Sequence, residues 1–100
     1  MSAYLMLSTL TDQGRAALQD DPEILKDINK EVEFAGVKIL TQYALLGQYD
    51  FVNVVEAPSN EVIAKLAIRL SAKGHTQTLT LPAITLEDLI TALKQKENPW

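Results

Sequence analysis

VKILTQYALL-GQYD-FVNVV, residues 37–55, is the stretch that decides the fold of this chain. The runs on either side, Val37–Leu46 and Phe51–Val55, are rich in β-branched and aromatic residues, which favour strands. The link from Gly47 to Asp50 supplies a glycine and an aspartate, which favour tight turns. The segment therefore predicts an antiparallel β-hairpin.

The sequence before the hairpin predicts one strand and one interrupted helix. The strand covers Ala3–Leu10, and Thr11 is placed to act as the helix N-cap. Pro22 should break or kink the helix, because proline cannot donate a backbone hydrogen bond. Gly36 is placed to end it.

The sequence after the hairpin predicts a helix, a strand and a final helix. Ser59 should cap the first of these helices, with Gly74 beyond its end, and Thr85 should cap the last. The fourth strand covers about Thr76–Ala83, and Pro82 indicates either an edge position for this strand or an unpaired end. In the last helix we expect one buried side, formed by Leu86, Leu89, Ile90 and Leu93.

The predicted order, βαββαβ plus a final helix, is that of an α+β, ferredoxin-like sandwich. Its sheet would be four-stranded and antiparallel, with helices on one face and an extra helix at the C-terminus. Residues 1–100 are predicted to form one domain, which buries only roughly 60–65% of its unfolded surface and so gains from a partner subunit. Trp100 is expected in a frayed terminus.

Strand alternation predicts which side chains face the helices. We expect the helix-facing set to be Leu5, Leu7, Leu40, Val52, Val54, Leu79 and Leu81. The far face would then carry Tyr4, Met6, Ser8, Thr41, Tyr43, Asn53, Thr78 and Thr80. In this register the polar Gln42 falls on the helix side, which should be apolar. A β-bulge in the second strand would remove this conflict.

Composition excludes several classes of function. Nine basic and thirteen acidic side chains give a net charge of −4 with no basic cluster, which disfavours nucleic acids and anionic membranes as partners. The chain has no cysteine and one histidine, too few ligands for a zinc site, and no glycine-rich phosphate loop, so we expect no metal and no cofactor. The first residues lack a basic signal-peptide region, and no apolar run is long enough to span a membrane, so we expect a cytoplasmic protein.

Several short motifs recur in an order and spacing that resemble a known family. They are Thr11-Asp12-Gln13-Gly14, then Gly47 with Tyr49-Asp50, then Glu56-Ala57-Pro58, and last Gly74 with Thr78, Thr80, Leu81 and Ala83. In these the chain resembles the GYD-domain family of small bacterial proteins along nearly its whole length. The resemblance implies a place in the ferredoxin-like, dimeric α/β-barrel group, in which two sheets pack face to face. It implies no established biochemical role.

Three side chains are candidates for proton transfer. Asp50 could act as a general base, although we favour its interpretation as a turn aspartate that accepts backbone N–H bonds. His75 is the only histidine and a natural acid–base group, or else an exposed residue at a helix end. Tyr43 on the far face is the third. No serine lies in a nucleophile-elbow pattern, which disfavours hydrolase chemistry.

The far face offers the predicted ligand-binding residues Tyr4, Tyr43, Asn53 and Thr78. These side chains could line a ligand cavity or form a subunit interface, because an apolar second face must be covered. Our leading hypothesis is a homo-oligomeric, non-catalytic module that binds a small molecule or regulates, pairing with itself through the sheet face. The alternative is a cofactor-independent enzyme that acts on a small organic or aromatic substrate in a dimeric α/β-barrel pocket.

Overall fold

A computed structural model describes residues 1–95 of the chain. The expectation for Trp100 therefore lies outside the described residues. The elements in chain order are β1 (Ser2–Leu10), α1 (Asp12–Asp20), α2 (Ile24–Phe34), β2 (Lys38–Ala44), β3 (Phe51–Ala57), α3 (Asn60–Ala72), β4 (Thr76–Ala83) and α4 (Leu86–Lys94).

The four strands form one antiparallel sheet in the order β2-β3-β1-β4. This is the strand order of a ferredoxin-like sandwich, so the predicted fold class is confirmed. The first helical region is divided at Pro22 into α1 and α2, and β4 lies at an edge of the sheet, the kind of strand in which proline is tolerated.

Side-chain caps fix where three of the helices begin. The Thr11 hydroxyl accepts a hydrogen bond from the Gly14 backbone N–H at 3.0 Å, and the Ser59 hydroxyl accepts one from the Val62 N–H at 3.3 Å. Thr85 caps α4 in the same way. Each hydroxyl satisfies a donor that has no partner within the helix, and all three N-caps were predicted.

The link between β2 and β3 forms the predicted turn. Gly47 has a φ of 115°, a left-handed conformation that glycine adopts without steric cost. Leu45 N–H donates to the Asp50 carbonyl at 2.7 Å and closes the turn. The Asp50 carboxylate accepts from the Leu10 N–H at 2.7 Å, so this side chain ties the turn to the end of β1.

The predicted assignment of sheet faces is wrong for β1, β3 and β4. Tyr4 and Met6 are 2% and 3% exposed and belong to the core beneath the helices, together with Val55 and Ala57. Their directly paired neighbours share that face, which places Ser8, Asn53, Thr78 and Thr80 there as well.

The opposite side of the sheet is here called the open face. It carries Leu5, Leu7, Thr41, Tyr43, Val52, Val54, Leu79 and Leu81, with no described element packed across it. The prediction failed because it assumed that the more apolar side of each strand packs against the helices. The helices pack on the face that holds the hydrogen-bonding residues, and most of the leucines and valines lie on the other.

The predicted bulge in β2 is present. The register shifts between Ile39 and Thr41, which leaves Leu40 as the extra residue, 47% exposed. Ile39 pairs with Val55 on the helix side before the bulge. After it, Gln42 pairs with Asn53 on that same side, so the bulge allows both residues to point under the helices.

The final helix α4 projects from the domain. The radius of gyration is 16.2 Å, against about 13 Å for a compact chain of this length, and the longest axis is 58 Å. The side of α4 predicted to be buried is exposed: Leu86, Leu89, Ile90 and Leu93 are 76%, 40%, 49% and 76% accessible. The amphipathic pattern predicted the helix correctly but could not show that its apolar side lacks a partner among the described residues.

Candidate functional site

A cavity of about 280 Å³ lies between the sheet and the helices. Its walls are mainly apolar and come from β1, α1, α2, β2, β3 and α3, among them Met6, Leu18, Ile28, Val32, Ile39 and Leu70. For comparison, an apolar cavity of about 150 Å³ is large enough to hold benzene. The space is therefore of the size that a small organic molecule would occupy.

Three carboxamides, here called the amide cluster, stand on one side of this cavity. Asn29 on α2 and Gln42 on β2 exchange two hydrogen bonds of 2.9 Å, and Gln42 Nε2 also donates to Asn53 Oδ1 on β3 at 2.7 Å. Both Gln42 amide hydrogens are thereby used. Among residues 1–95, two N–H donors of Asn53 and one of Asn29 have no hydrogen-bond partner.

The opposite side of the cavity is formed where α3 meets β4. Lys73, His75 and Thr76 line the cavity there, and the Lys73 ammonium pairs with Glu31 on α2. No aspartate or glutamate lines the cavity among the described residues. The polar groups that reach it are therefore amides, hydroxyls and bases.

Tight backbone contacts anchor α1 beside this side of the cavity. Thr11 N–H donates to the His75 carbonyl at 2.9 Å, and the Thr11 hydroxyl donates to the Gly74 carbonyl at 2.6 Å. Gly14 packs directly on the His75 carbonyl, so closely that a Cβ at this position would overlap its oxygen. The glycine of the Thr-Asp-Gln-Gly motif thus permits a close approach of α1 to the α3–β4 junction.

The three candidates for proton transfer are not brought together. Tyr43 lies on the open face and is 62% exposed, whereas the Asp50 carboxylate accepts the Leu10 N–H. Of the three, only His75 lines the cavity. Among residues 1–95 no three His, Asp or Glu side chains are placed to hold a metal ion.

The four predicted ligand-binding residues divide between the two faces. Tyr43 lies on the open face, whereas Tyr4, Asn53 and Thr78 are on the helix side. Tyr4 is a core residue whose hydroxyl donates to Asn60 Oδ1, as a buried phenol requires. Asn53 is the one of the four that lines the cavity.

Sequence reasoning missed two members of the amide cluster, Asn29 and Gln42. Asn29 lies on α2 beside its apolar stripe and carries no local signal. Gln42 did carry one, because a glutamine on the inner side of a strand needs polar partners. A search for those partners would have led to Asn53 and Asn29.

The open face is the second candidate surface. Leu79 and Leu81 are 44% and 42% accessible there, beside the exposed Tyr43. Neither this face nor the apolar side of α4 is covered by any of residues 1–95, and extensive apolar surface of this kind is typical of interaction sites. In residues 1–95 no helix is both long and apolar enough to cross a bilayer.

Known proteins resemble this chain at the levels of family, sequence and fold. The profile described as "GYD domain" matches residues 4–93. A protein of Thermus thermophilus, "Glutamine synthetase and cystathionine beta-lyase binding protein", is 46% identical over 95 residues, which cover 94% of this chain and 100% of that protein.

Two solved structures share the fold at low sequence identity. The leucine response regulatory protein LrpA of Mycobacterium tuberculosis matches 84% of this chain at 15% identity, with a TM-score of 0.51. This chain spans only 51% of that protein. The structure of FFRP-DM1 matches 84% of this chain and 100% of its own at 17% identity, with a TM-score of 0.56.

Proposed function

The chain belongs to the GYD domain family, and from this premise we propose that it is a non-catalytic, homo-oligomeric module that binds and regulates a metabolic enzyme. The relative from Thermus thermophilus is named for binding glutamine synthetase and cystathionine beta-lyase. This chain is 46% identical to that relative over the relative's whole length. Enzymes of these two kinds are therefore the first partners to test.

The observation that carries the self-association is the uncovered apolar surface. Four strands about 4.8 Å apart and roughly 25 Å long give the open face a plan area of about 500 Å². A stable interface buries about 800 Å² on each partner. We infer that α4 supplies part of the remainder, because its exposed apolar side is continuous in sequence with the edge strand β4.

The assembly is tested by sedimentation velocity at micromolar concentration. The wild-type chain should sediment as a dimer or a larger oligomer of the 11.1 kDa subunit. Leu81→Asp on the open face should give folded monomers, because a carboxylate cannot be buried between two apolar sheets without a large desolvation cost. Leu46→Asp is the matched control, since Leu46 lies in the β2–β3 turn and is fully exposed.

A wild-type monomer would contradict the oligomeric proposal. An oligomeric Leu81→Asp variant would show that another surface mediates assembly.

Enzyme docking is tested separately, with purified glutamine synthetase and cystathionine beta-lyase from the same organism. Calorimetric titration should show saturable binding of at least one of them, and activity assays should show a change on binding. Absence of binding to both enzymes at concentrations of about 100 µM would reject them as partners, since any remaining binding free energy would be weaker than roughly −5.5 kcal/mol.

The alternative function, a cofactor-independent enzyme on a small organic substrate, receives less support. General acid–base chemistry needs the reacting groups within hydrogen-bond reach of a bound substrate, and the described cavity has one of the three candidates, His75. A cytoplasmic location remains a prediction from the sequence.

A further inference from the structure

We propose that the cavity beneath the helices is a binding site for a small apolar carboxylic acid, with the apolar body in the cavity and the carboxylate on the amide cluster. The proposal goes beyond the enzyme-binding function given above, because it assigns a small-molecule ligand and a site for it. It concerns the side of the sheet opposite the open face, so it does not depend on how copies of the chain associate.

The size of the cavity gives the size of the ligand. Protein interiors are packed as densely as organic crystals, and an empty cavity costs stability in proportion to its volume. A space of about 280 Å³ is nearly twice the one that accommodates benzene. By that scale it accommodates about eleven non-hydrogen atoms, which is a single ring with a short side chain.

The unused hydrogen-bonding groups give the chemistry of its polar end. Within the amide cluster, the N–H groups left free are two on Asn53 and one on Asn29. A ligand that meets them must offer hydrogen-bond acceptors. A carboxylate has two acceptor oxygens and no donor, and therefore matches this set.

The lining of the cavity offers nothing that repels an anion. No aspartate or glutamate among residues 1–95 lines it. Lys73 and His75 lie on the side opposite the amide cluster, and Lys73 is already paired with Glu31, so the amide N–H groups and not these bases hold the carboxylate. An ionised ligand also gains more from each amide N–H than a neutral one, because charge-assisted hydrogen bonds are stronger.

The amide cluster is accessible to a ligand. Gln42 is exposed, and Asn29 and Asn53 are half-buried, so the carboxylate can remain near solvent while the apolar body enters between α2 and the sheet. This arrangement avoids the desolvation cost of burying a whole anion.

The probe for the test is 3-phenylpropanoate, with 3-phenylpropan-1-ol as the neutral analogue of equal length. We expect the acid to bind with a Kd on the order of 10⁻⁴ M and the alcohol at least about tenfold more weakly, because it offers one neutral oxygen in place of two charged ones. In ¹H–¹⁵N spectra of the wild-type chain, the side-chain amide signals of Asn53 and Asn29 should shift on titration.

Asn53→Asp is the discriminating variant. The new carboxylate still accepts from Gln42 Nε2 but removes both free donors and repels an anion. This substitution should lower the affinity for the acid at least about tenfold and the affinity for the alcohol less than about threefold. Gln19→Glu makes the same amide-to-acid change at an exposed position on α1, and should leave both affinities within about twofold.

Three results would overturn the proposal: no saturable binding of the acid up to about 10 mM, equal affinity for acid and alcohol, or amide shifts confined to the open face. The wild-type spectra decide the matter even if Asn53→Asp fails to fold. Repeating the titration on Leu81→Asp separates the two proposals, because the cavity lies within one copy and should still bind the acid when oligomers do not form.

Discussion

The Asp50 carboxylate should contribute to stability through one hydrogen bond, and two substitutions can isolate it. In Asp50→Ala the Leu10 N–H at the end of β1 loses the acceptor that now lies 2.7 Å away. In Asp50→Asn an amide oxygen remains as acceptor without the charge. The backbone bonds of residue 50, to Ser8 and Leu45, survive in both variants.

The expected magnitude follows from this geometry. Hydrogen bonds to charged groups contribute about 1.5–3 kcal/mol, and Asp50 is half-buried, so water partly replaces the lost acceptor. We expect Asp50→Ala to lower the free energy of unfolding by about 1.5 kcal/mol and Asp50→Asn by about 0.5 kcal/mol. For a domain of this size, the former corresponds to a decrease in Tm of roughly 6–12 °C.

Urea unfolding followed by circular dichroism, at one fixed protein concentration, measures the difference. The concentration must be fixed because self-association stabilises the folded state. Asp20→Asn, at the exposed end of α1, should stay within about 0.5 kcal/mol of the wild type. If Asp50→Ala also stays within that range, the carboxylate does not hold the end of β1 and the structural account of Asp50 is refuted.

Three further substitutions test the packing. Gly14→Ala should destabilise by at least about 2 kcal/mol in urea unfolding, because its Cβ would overlap the His75 carbonyl; unchanged stability would show that α1 does not approach so closely. Thr80→Val should stabilise by up to about 1 kcal/mol, since the Thr80 hydroxyl is buried with no hydrogen-bond partner in the described part of the chain; a large loss would reveal a hidden partner. Ser59→Ala should cost about 1 kcal/mol through loss of the α3 cap, whereas Ser59→Gly should cost only a few tenths, and equal losses would argue against capping.

The fold could be predicted because its signals are local. Thr11, Ser59 and Thr85 mark helix starts through hydroxyls that reach backbone donors three residues ahead, and Gly47 marks the turn through its φ. The strand order then follows from the short connections. None of these inferences needs knowledge of what lies across the sheet.

The faces of the sheet and the site required tertiary information. Alternation assigns a face only when one side of a strand is clearly more polar, and β1 offers Leu5 and Leu7 against Tyr4 and Met6, which are equally able to be buried. The polar residues of the helix side, such as Asn53, fit there only because a bulge and a helix bring amide partners to them. Those partners are distant in sequence or carry no motif, so residue spacing could not reveal them.

The two margins of the sheet restrict the ways in which copies of this chain can join. On β2 the extra residue Leu40 interrupts the outer ladder, and on β4 Pro82 lacks the N–H that an added strand would need. Strand addition that joined β2 of one copy to β4 of the next would build open-ended fibres, and both margins disfavour it. Association through the face of the sheet can instead close on itself by a two-fold axis. The same two residues that shape the edges therefore favour a finite particle over a growing polymer.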